Sequence, residues 1–119
     1  MMEMSCHDMG AKPSEEDKAH VGYCAYTVNR IASYPSFFEY LITALDLLKD
    51  IDVLQLYCKG GNRRSLSLAN VLVSLTDCTF VDRDGPFKYC KLNCQHATPN
   101  EISRAVLRAH MAWLQSSVY

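Results

Sequence analysis

Residues 53–65, VLQLYCKGGNRRS, join a short apolar run to a polar, glycine-rich segment, and this junction indicates the architecture of the chain. Residues 53–57 are typical of a strand that is covered on both faces. After the polar residues 58–63, the chain from Arg64 onward is apolar almost all round, which is typical of an interior helix. This strand–loop–helix unit predicts a parallel α/β arrangement.

The same alternation of strand and helix continues on both sides of this unit. Thr98-Pro99-Asn100-Glu101 has the residue types and spacing of a capped helix start. The order β-α-β-α-β-α predicts a small, parallel or mostly parallel sheet with helices on its faces. The outer elements are predicted as strands over residues 20–28 and 78–81 and helices over residues 36–49 and 98–116.

Length and composition bound the domain organisation and the compartment. The chain has 119 residues, a hydrophobic fraction of 49% and a net charge of −1, which fit one globular domain without a generally basic surface. Residues 1–18 have no structural period and predict a flexible N-terminal arm, so the domain is expected over residues 19–119. No apolar run has the length of a membrane helix or a secretory signal, and we expect a cytoplasmic protein with reduced cysteines and no membrane partner.

The glycine-rich segment lies where open parallel sheets bind ligands, beyond the carboxyl end of a strand. Gly60 and Gly61 allow backbone N–H groups to converge on an anion, and the helix that follows directs its positive end there. Arg64 adds a planar donor that matches phosphate. The sequence therefore predicts a site for a phosphorylated small molecule or an RNA backbone, with the candidate phosphate-binding residues Cys58, Lys59, Gly60, Gly61, Asn62, Arg63, Arg64 and Ser65.

The pattern Cys-x5-Arg-Ser of residues 58–65 resembles the phosphate loop of Cys-dependent phosphatases. That resemblance implies Cys58 as nucleophile, Arg64 as phosphate clamp and Ser65 assisting departure of the thiolate. Asp82 or Asp84, in the loop after the predicted third strand, would be the proton donor.

A second resemblance covers about residues 51–84. The loop Cys-x-Gly-Gly-x-x-Arg-Ser looks like that of the RapZ-type RNase adapter carboxyl-terminal domain. It implies an α/β fold that binds a phosphosugar and small RNA without hydrolysing them, with Gly60, Gly61, Arg64 and Ser65 as phosphate ligands and Cys58 as a structural or modulatory residue. Our first interpretation is accordingly a recognition or regulatory domain. A Cys-dependent phosphatase, a zinc-containing interaction module and a purely structural turn at this loop are the alternatives.

A second group of candidate ligands precedes the last helix. Cys90-x3-Cys94-x-His96 supplies two thiols and an imidazole, which suit three of the four positions around a zinc ion. Cys6, His7, Cys24 and Cys78 are all conceivable as the fourth ligand. The sequence alone favours the simpler alternative, in which both thiols pack against the sheet edge and His96 is solvated.

Overall fold

The computed structural model describes residues 2–10, 13–58, 64–79, 81, 90 and 94–116. Along these residues, two strands and four α-helices follow one another in the order β-α-α-β-α-α, with a one-turn 3-10 helix at Asp17–Ala19, so the predicted order β-α-β-α-β-α is not confirmed. In the described part of the chain, no helix is both long and apolar enough to cross a membrane. The elements are β1 (Met2–Ser5), α1 (Ala25–Ala32), α2 (Pro35–Leu47), β2 (Leu54–Tyr57), α3 (Arg64–Leu75) and α4 (Pro99–Ser116).

The two strands form a parallel sheet whose register runs from Met2 opposite Leu54 to Ser5 opposite Tyr57. Parallel pairing requires a long crossover, and α1 and α2 lie within it. The predicted class, a small α/β fold, is confirmed. Because the strands run in the same direction, their carboxyl ends meet at one edge of the sheet, where α3 also begins.

The first predicted strand, near the amino terminus, differs from the structure. The first strand, predicted over residues 20–28, is wrong, because Ala25–Ala32 is the helix α1. Its buried residues Thr27, Val28, Ile31 and Ala32 recur at helical spacing, so packing against the core overrides the strand propensity of single residues.

The sheet takes its first strand from residues that we predicted to be a flexible arm. Met2–Ser5 is β1, and Cys6 and Met9 just after it are fully buried in the core. At the predicted third strand, the described residues 78, 79 and 81 form no strand, and Val81 is 78% exposed. A strand that buries little surface gains too little free energy to offset the conformational entropy that its residues lose on ordering.

Within the part of the chain that the structure describes, buried residues form two separate groups. The larger core joins residues of all four helices to Cys6 and Met9, and its largest fully buried side chains include Phe37, Leu41, Leu68 and Val71. The smaller group consists of Val21, Tyr23, Cys24 and Cys90, with Tyr26 and Cys94 packed against it. This smaller group includes the candidate metal ligands Cys24 and Cys90, and the candidate ligand Cys94 packs against it.

Candidate functional site

Four ligand side chains from two distant parts of the chain form what we call the His-Cys cluster: His20, Cys24, Cys90 and Cys94. Their ligand atoms all lie within 4.8 Å of one another, and all but Cys94 are buried. The Nδ1 atom of His20 lies 3.6 Å from Sγ of Cys24 and 3.3 Å from Sγ of Cys94. The cluster could hold a metal ion.

These distances can be compared with those of a tetrahedral zinc site. Zn–N and Zn–S bonds of about 2.0 and 2.3 Å place a ligand nitrogen about 3.5 Å from a ligand sulfur, and two sulfurs about 3.8 Å apart. The two nitrogen–sulfur distances in the cluster, 3.3 and 3.6 Å, lie close to that value. The widest separation, at most 4.8 Å, needs about 1 Å of closure to reach tetrahedral spacing. The donor set and its spacing therefore fit zinc.

The backbone around His20 and Cys24 is a turn that α3 and the Cys90 segment hold in place. The carbonyl of Gly22 accepts hydrogen bonds from Ser67 Oγ at 3.0 Å and from Asn70 Nδ2 at 3.4 Å. The N–H of Val21 donates to Sγ of Cys90 at 3.3 Å. An N–H directed at sulfur favours the thiolate, which is the form that binds a metal.

A polar chain behind the cluster orients the imidazole. The ring of His20 stacks on Tyr26 with centroids 4.0 Å apart, and the Tyr26 hydroxyl donates to Asp17 at 2.8 Å. Burial opposes the charge of Asp17, but the bonds from Ser14 and Tyr26 and the nearby Arg30 together hold its pKa below the ordinary value. The stack on Tyr26, whose hydroxyl is held by Asp17, limits how far the imidazole can turn.

Without a metal, the buried thiol of Cys90 resists ionisation. Burial, with the neighbouring thiols of Cys24 and Cys94, raises the pKa of Cys90 to about 11, while the bond from Val21 acts in the opposite direction. A divalent cation would reverse this balance, because it replaces thiol protons and removes the repulsion between thiolates.

His96 does not belong to the cluster, although the sequence suggested it with Cys90 and Cys94. It forms an antiparallel bridge with Cys24, and its ring stacks on Tyr23 with centroids 4.3 Å apart. The N–H of Ala97 donates to the carbonyl of Tyr23 at 2.8 Å. His96 therefore holds the segment before α4 against the turn, and the imidazole in the cluster comes from His20.

The predicted phosphate site lies at what we call the carboxyl edge, formed by Cys6, His7, Cys58, Arg64 and Ser65. Sγ of Cys58 and Oγ of Ser65, at the two ends of the Cys-x5-Arg-Ser motif, lie 3.3 Å apart. Arg64 begins α3 and donates a hydrogen bond from its guanidinium to the carbonyl of His7, after β1. The edge therefore joins both strands to the first turn of α3.

The other predicted site residues at this loop and in the loop after it lie outside the described residues: Lys59, Gly60, Gly61, Asn62, Arg63, Asp82 and Asp84. Around the described part of the carboxyl edge, both signs of charge are present. Burial first, and then Asp8 and Cys6, raise the pKa of Tyr40, whereas Arg64 lowers it. Asp8 and Arg64 thus lie on the same side of the molecule.

Comparison with known proteins adds no relative. No protein-family model matches the sequence, and no curated protein or solved structure matches it. The fold and the cluster define the chain as a small α/β domain with a candidate metal centre of three cysteines and one histidine.

Proposed function

We propose that the chain is a phosphate-binding α/β domain that recognises a phosphorylated ligand, such as a phosphosugar, a nucleotide or an RNA backbone, in a regulatory or adapter role. The observation that carries this proposal is the 3.3 Å contact between Cys58 and Ser65. An anion-binding loop needs both of its ends at one point, and this contact brings the two ends of the motif together.

Two further features support the proposal. Arg64 stands at the first position of α3, where the positive end of the helix dipole favours an anion. The end of β1 lies beside it, since His7 accepts the arginine hydrogen bond. Arginine, hydroxyl and helix start therefore share the edge at which parallel sheets bind their ligands.

The test compares two arginine variants in titrations with inorganic phosphate, fructose 6-phosphate, AMP and a short single-stranded RNA. Arg64→Ala should weaken binding about ten- to a hundredfold, because a hydrogen bond to a charged group contributes about 1.5–3 kcal/mol. Arg104→Ala, an exposed arginine on α4, removes the same charge elsewhere and should bind as the parent does. Equal binding by the parent and Arg64→Ala would rule out the site.

The alternative activity, a Cys-dependent phosphatase, draws on the same contact, because a hydroxyl beside the thiol can donate to a departing thiolate. In that case the parent hydrolyses p-nitrophenyl phosphate, and Cys58→Ser abolishes turnover while it retains phosphate binding. A parent that binds phosphate and hydrolyses no aryl phosphate is a binding domain.

We also propose that the ion of the His-Cys cluster is zinc, which gives the domain a structural metal. Three thiolates and one imidazole are a donor set that zinc favours, and four protein ligands leave no open position for chemistry. All six cysteines are free, which fits a reducing compartment such as the cytoplasm. Elemental analysis should find about one zinc per chain in the parent and in Cys78→Ser, and none in Cys94→Ser. A metal-free parent that folds normally would exclude the zinc.

A further inference from the structure

Cys6 and Cys58 follow β1 and β2 at matching positions. At one end of the sheet, the N–H of Met2 donates to the carbonyl of Val53. Val53 precedes Leu54, which is the residue paired with Met2 in the sheet. At the other end, the N–H of Cys6 bonds to the carbonyl of Tyr57 at 2.7 Å. In both cases the N–H bonds to the residue that precedes its partner on the other strand. Cys6 and Cys58 are therefore the next pair in the register after Ser5 and Tyr57.

The two thiols also share one side of the sheet. Side chains paired across parallel strands project to the same face, and both cysteines pack with the larger core. Neighbouring strands lie about 4.8 Å apart, within the roughly 4.4–6.8 Å that separates the Cα atoms of disulfides. Burial first, and then the nearby Cys58 thiol, raise the pKa of Cys6 to about 12.

We propose that Cys6 and Cys58 form a reversible disulfide when the chain meets a hydroperoxide, and that this disulfide switches off ligand binding at the carboxyl edge. The second half rests on the proposed phosphate-binding function, whereas formation of the disulfide does not. The modification would take Cys58 away from Ser65 and draw it towards β1.

The unequal exposure of the two thiols sets the order of events. Cys6 is fully buried, whereas Cys58 is only partly buried, so the peroxide reaches Cys58 first. The thiolate sulfur of Cys58 attacks the terminal oxygen of the hydroperoxide and the O–O bond breaks, which gives a sulfenic acid on Cys58 and an alcohol, or water from hydrogen peroxide. Cys6 then attacks the sulfenic sulfur, and the hydroxyl leaves with the Cys6 proton as water. The peroxide is reduced by two electrons, which the two thiols supply.

The high pKa of Cys6 gives the second step a distinctive pH dependence. Only the thiolate attacks, and its fraction grows about tenfold for each pH unit below a pKa of about 12. Closure of the disulfide from the sulfenic acid should therefore accelerate about tenfold from pH 9 to pH 10, where attack by a thiol at the ordinary pKa of 9.0 would accelerate only about twofold.

The test treats the reduced, zinc-loaded chain with hydrogen peroxide, blocks the remaining thiols and digests with trypsin. Cys6 and Cys58 then fall in different peptides, residues 1–18 and 50–59, each with a single cysteine. We expect these peptides to be linked in the parent and in the control Cys78→Ser, unlinked after dithiothreitol, and unlinked in Cys6→Ser and Cys58→Ser.

Two results would overturn the disulfide. One is a parent in which Cys58 proceeds to sulfinic acid with no linked peptide. The other is a Cys58 that links to Cys78 instead. Because Cys6 lies in the core, Cys6→Ala provides a second variant if Cys6→Ser does not fold.

The effect on ligand binding is measured separately with inorganic phosphate. If the linked peptide forms and reduced protein binds phosphate but oxidised protein does not, the disulfide and its effect on ligand binding are both confirmed. If the linked peptide forms and neither state binds phosphate, the phosphate-binding function fails and the disulfide stands. If oxidised and reduced protein bind equally, the switch is wrong.

Discussion

The choice of His20 over His96 as the imidazole ligand gives the sharpest test of the His-Cys cluster. His20→Ala removes an atom that lies 3.3 Å from Cys94 Sγ, whereas His96→Ala removes a ring that stacks on Tyr23 outside the cluster. Both variants delete one imidazole and leave all the cysteines in place.

The expected magnitude follows from the number of ligands. Structural zinc sites bind with about 10–16 kcal/mol at neutral pH, so four comparable ligands contribute about 3 kcal/mol each. The two nitrogen–sulfur distances are near tetrahedral values, so we assign the histidine a full share. His20→Ala should therefore weaken zinc binding about a hundredfold, and His96→Ala should leave the affinity unchanged.

The assay is a competition titration of metal-free protein against a chromophoric zinc indicator of known affinity. Circular dichroism of each metal-free variant verifies that the helices remain. A hundredfold loss in His96→Ala, combined with parental affinity in His20→Ala, would refute the ligand set and favour the histidine that the sequence first suggested.

Four other predictions concern pH and local geometry. Zinc binding should strengthen as pH rises towards the pKa of Cys90 at about 11, because the metal must displace thiol protons; proton release measured in buffers of different ionisation heat checks this, and pH-independent affinity contradicts it. Thr98→Ala should cost about 1 kcal/mol in denaturant unfolding, since the Thr98 hydroxyl caps α4 at the N–H of Glu101, and an unchanged midpoint would dismiss the cap. Bonds from Thr98 lower the pKa of Glu101, so its contribution is present above its unfolded pKa and is lost as pH falls through the folded value; Glu101→Gln should match the parent only in acid. Gly10→Ala should destabilise by about 1 kcal/mol or more, because φ is +110° and a Cβ would stand 2.7 Å from the Tyr34 ring; a thermal melt like the parent's would argue against that backbone.

The central part of the fold could be predicted from sequence because local signals and packing agree there. Residues 53–57 were predicted as a strand, and Leu54–Tyr57 is β2; the helices from Arg64 and Thr98 are α3 and α4. The reciprocal bonds between Thr98 and Glu101, at 2.9 and 3.2 Å, confirm the capped start. Each of these elements carries its own periodicity or cap, so little depends on distant residues.

The amino-terminal third could not be predicted because its structure depends on distant contacts. Met2–Ser5 alternates apolar and polar residues over only four positions, and it becomes a strand through pairing with β2. His20 was missed as a ligand because residues 20–28 were interpreted as a strand. The sequence contained one signal for this ligand, because His20-x3-Cys24 has the same spacing as Cys90-x3-Cys94. The repeat was missed because its first position in the earlier pair is a histidine and not a cysteine.

The existence of two separate packed groups has a consequence for how the molecule opens. The His-Cys cluster lies within the smaller group, while the larger core holds α2 and α3 without contribution from the four ligands. Chelation should then loosen the turn around Gly22 and the segment before α4 as one cooperative unit, with fast amide hydrogen exchange there and continued protection of α2 and α3. The metal would thus stabilise one region of the molecule, and its loss would leave the larger core folded while the smaller group opens.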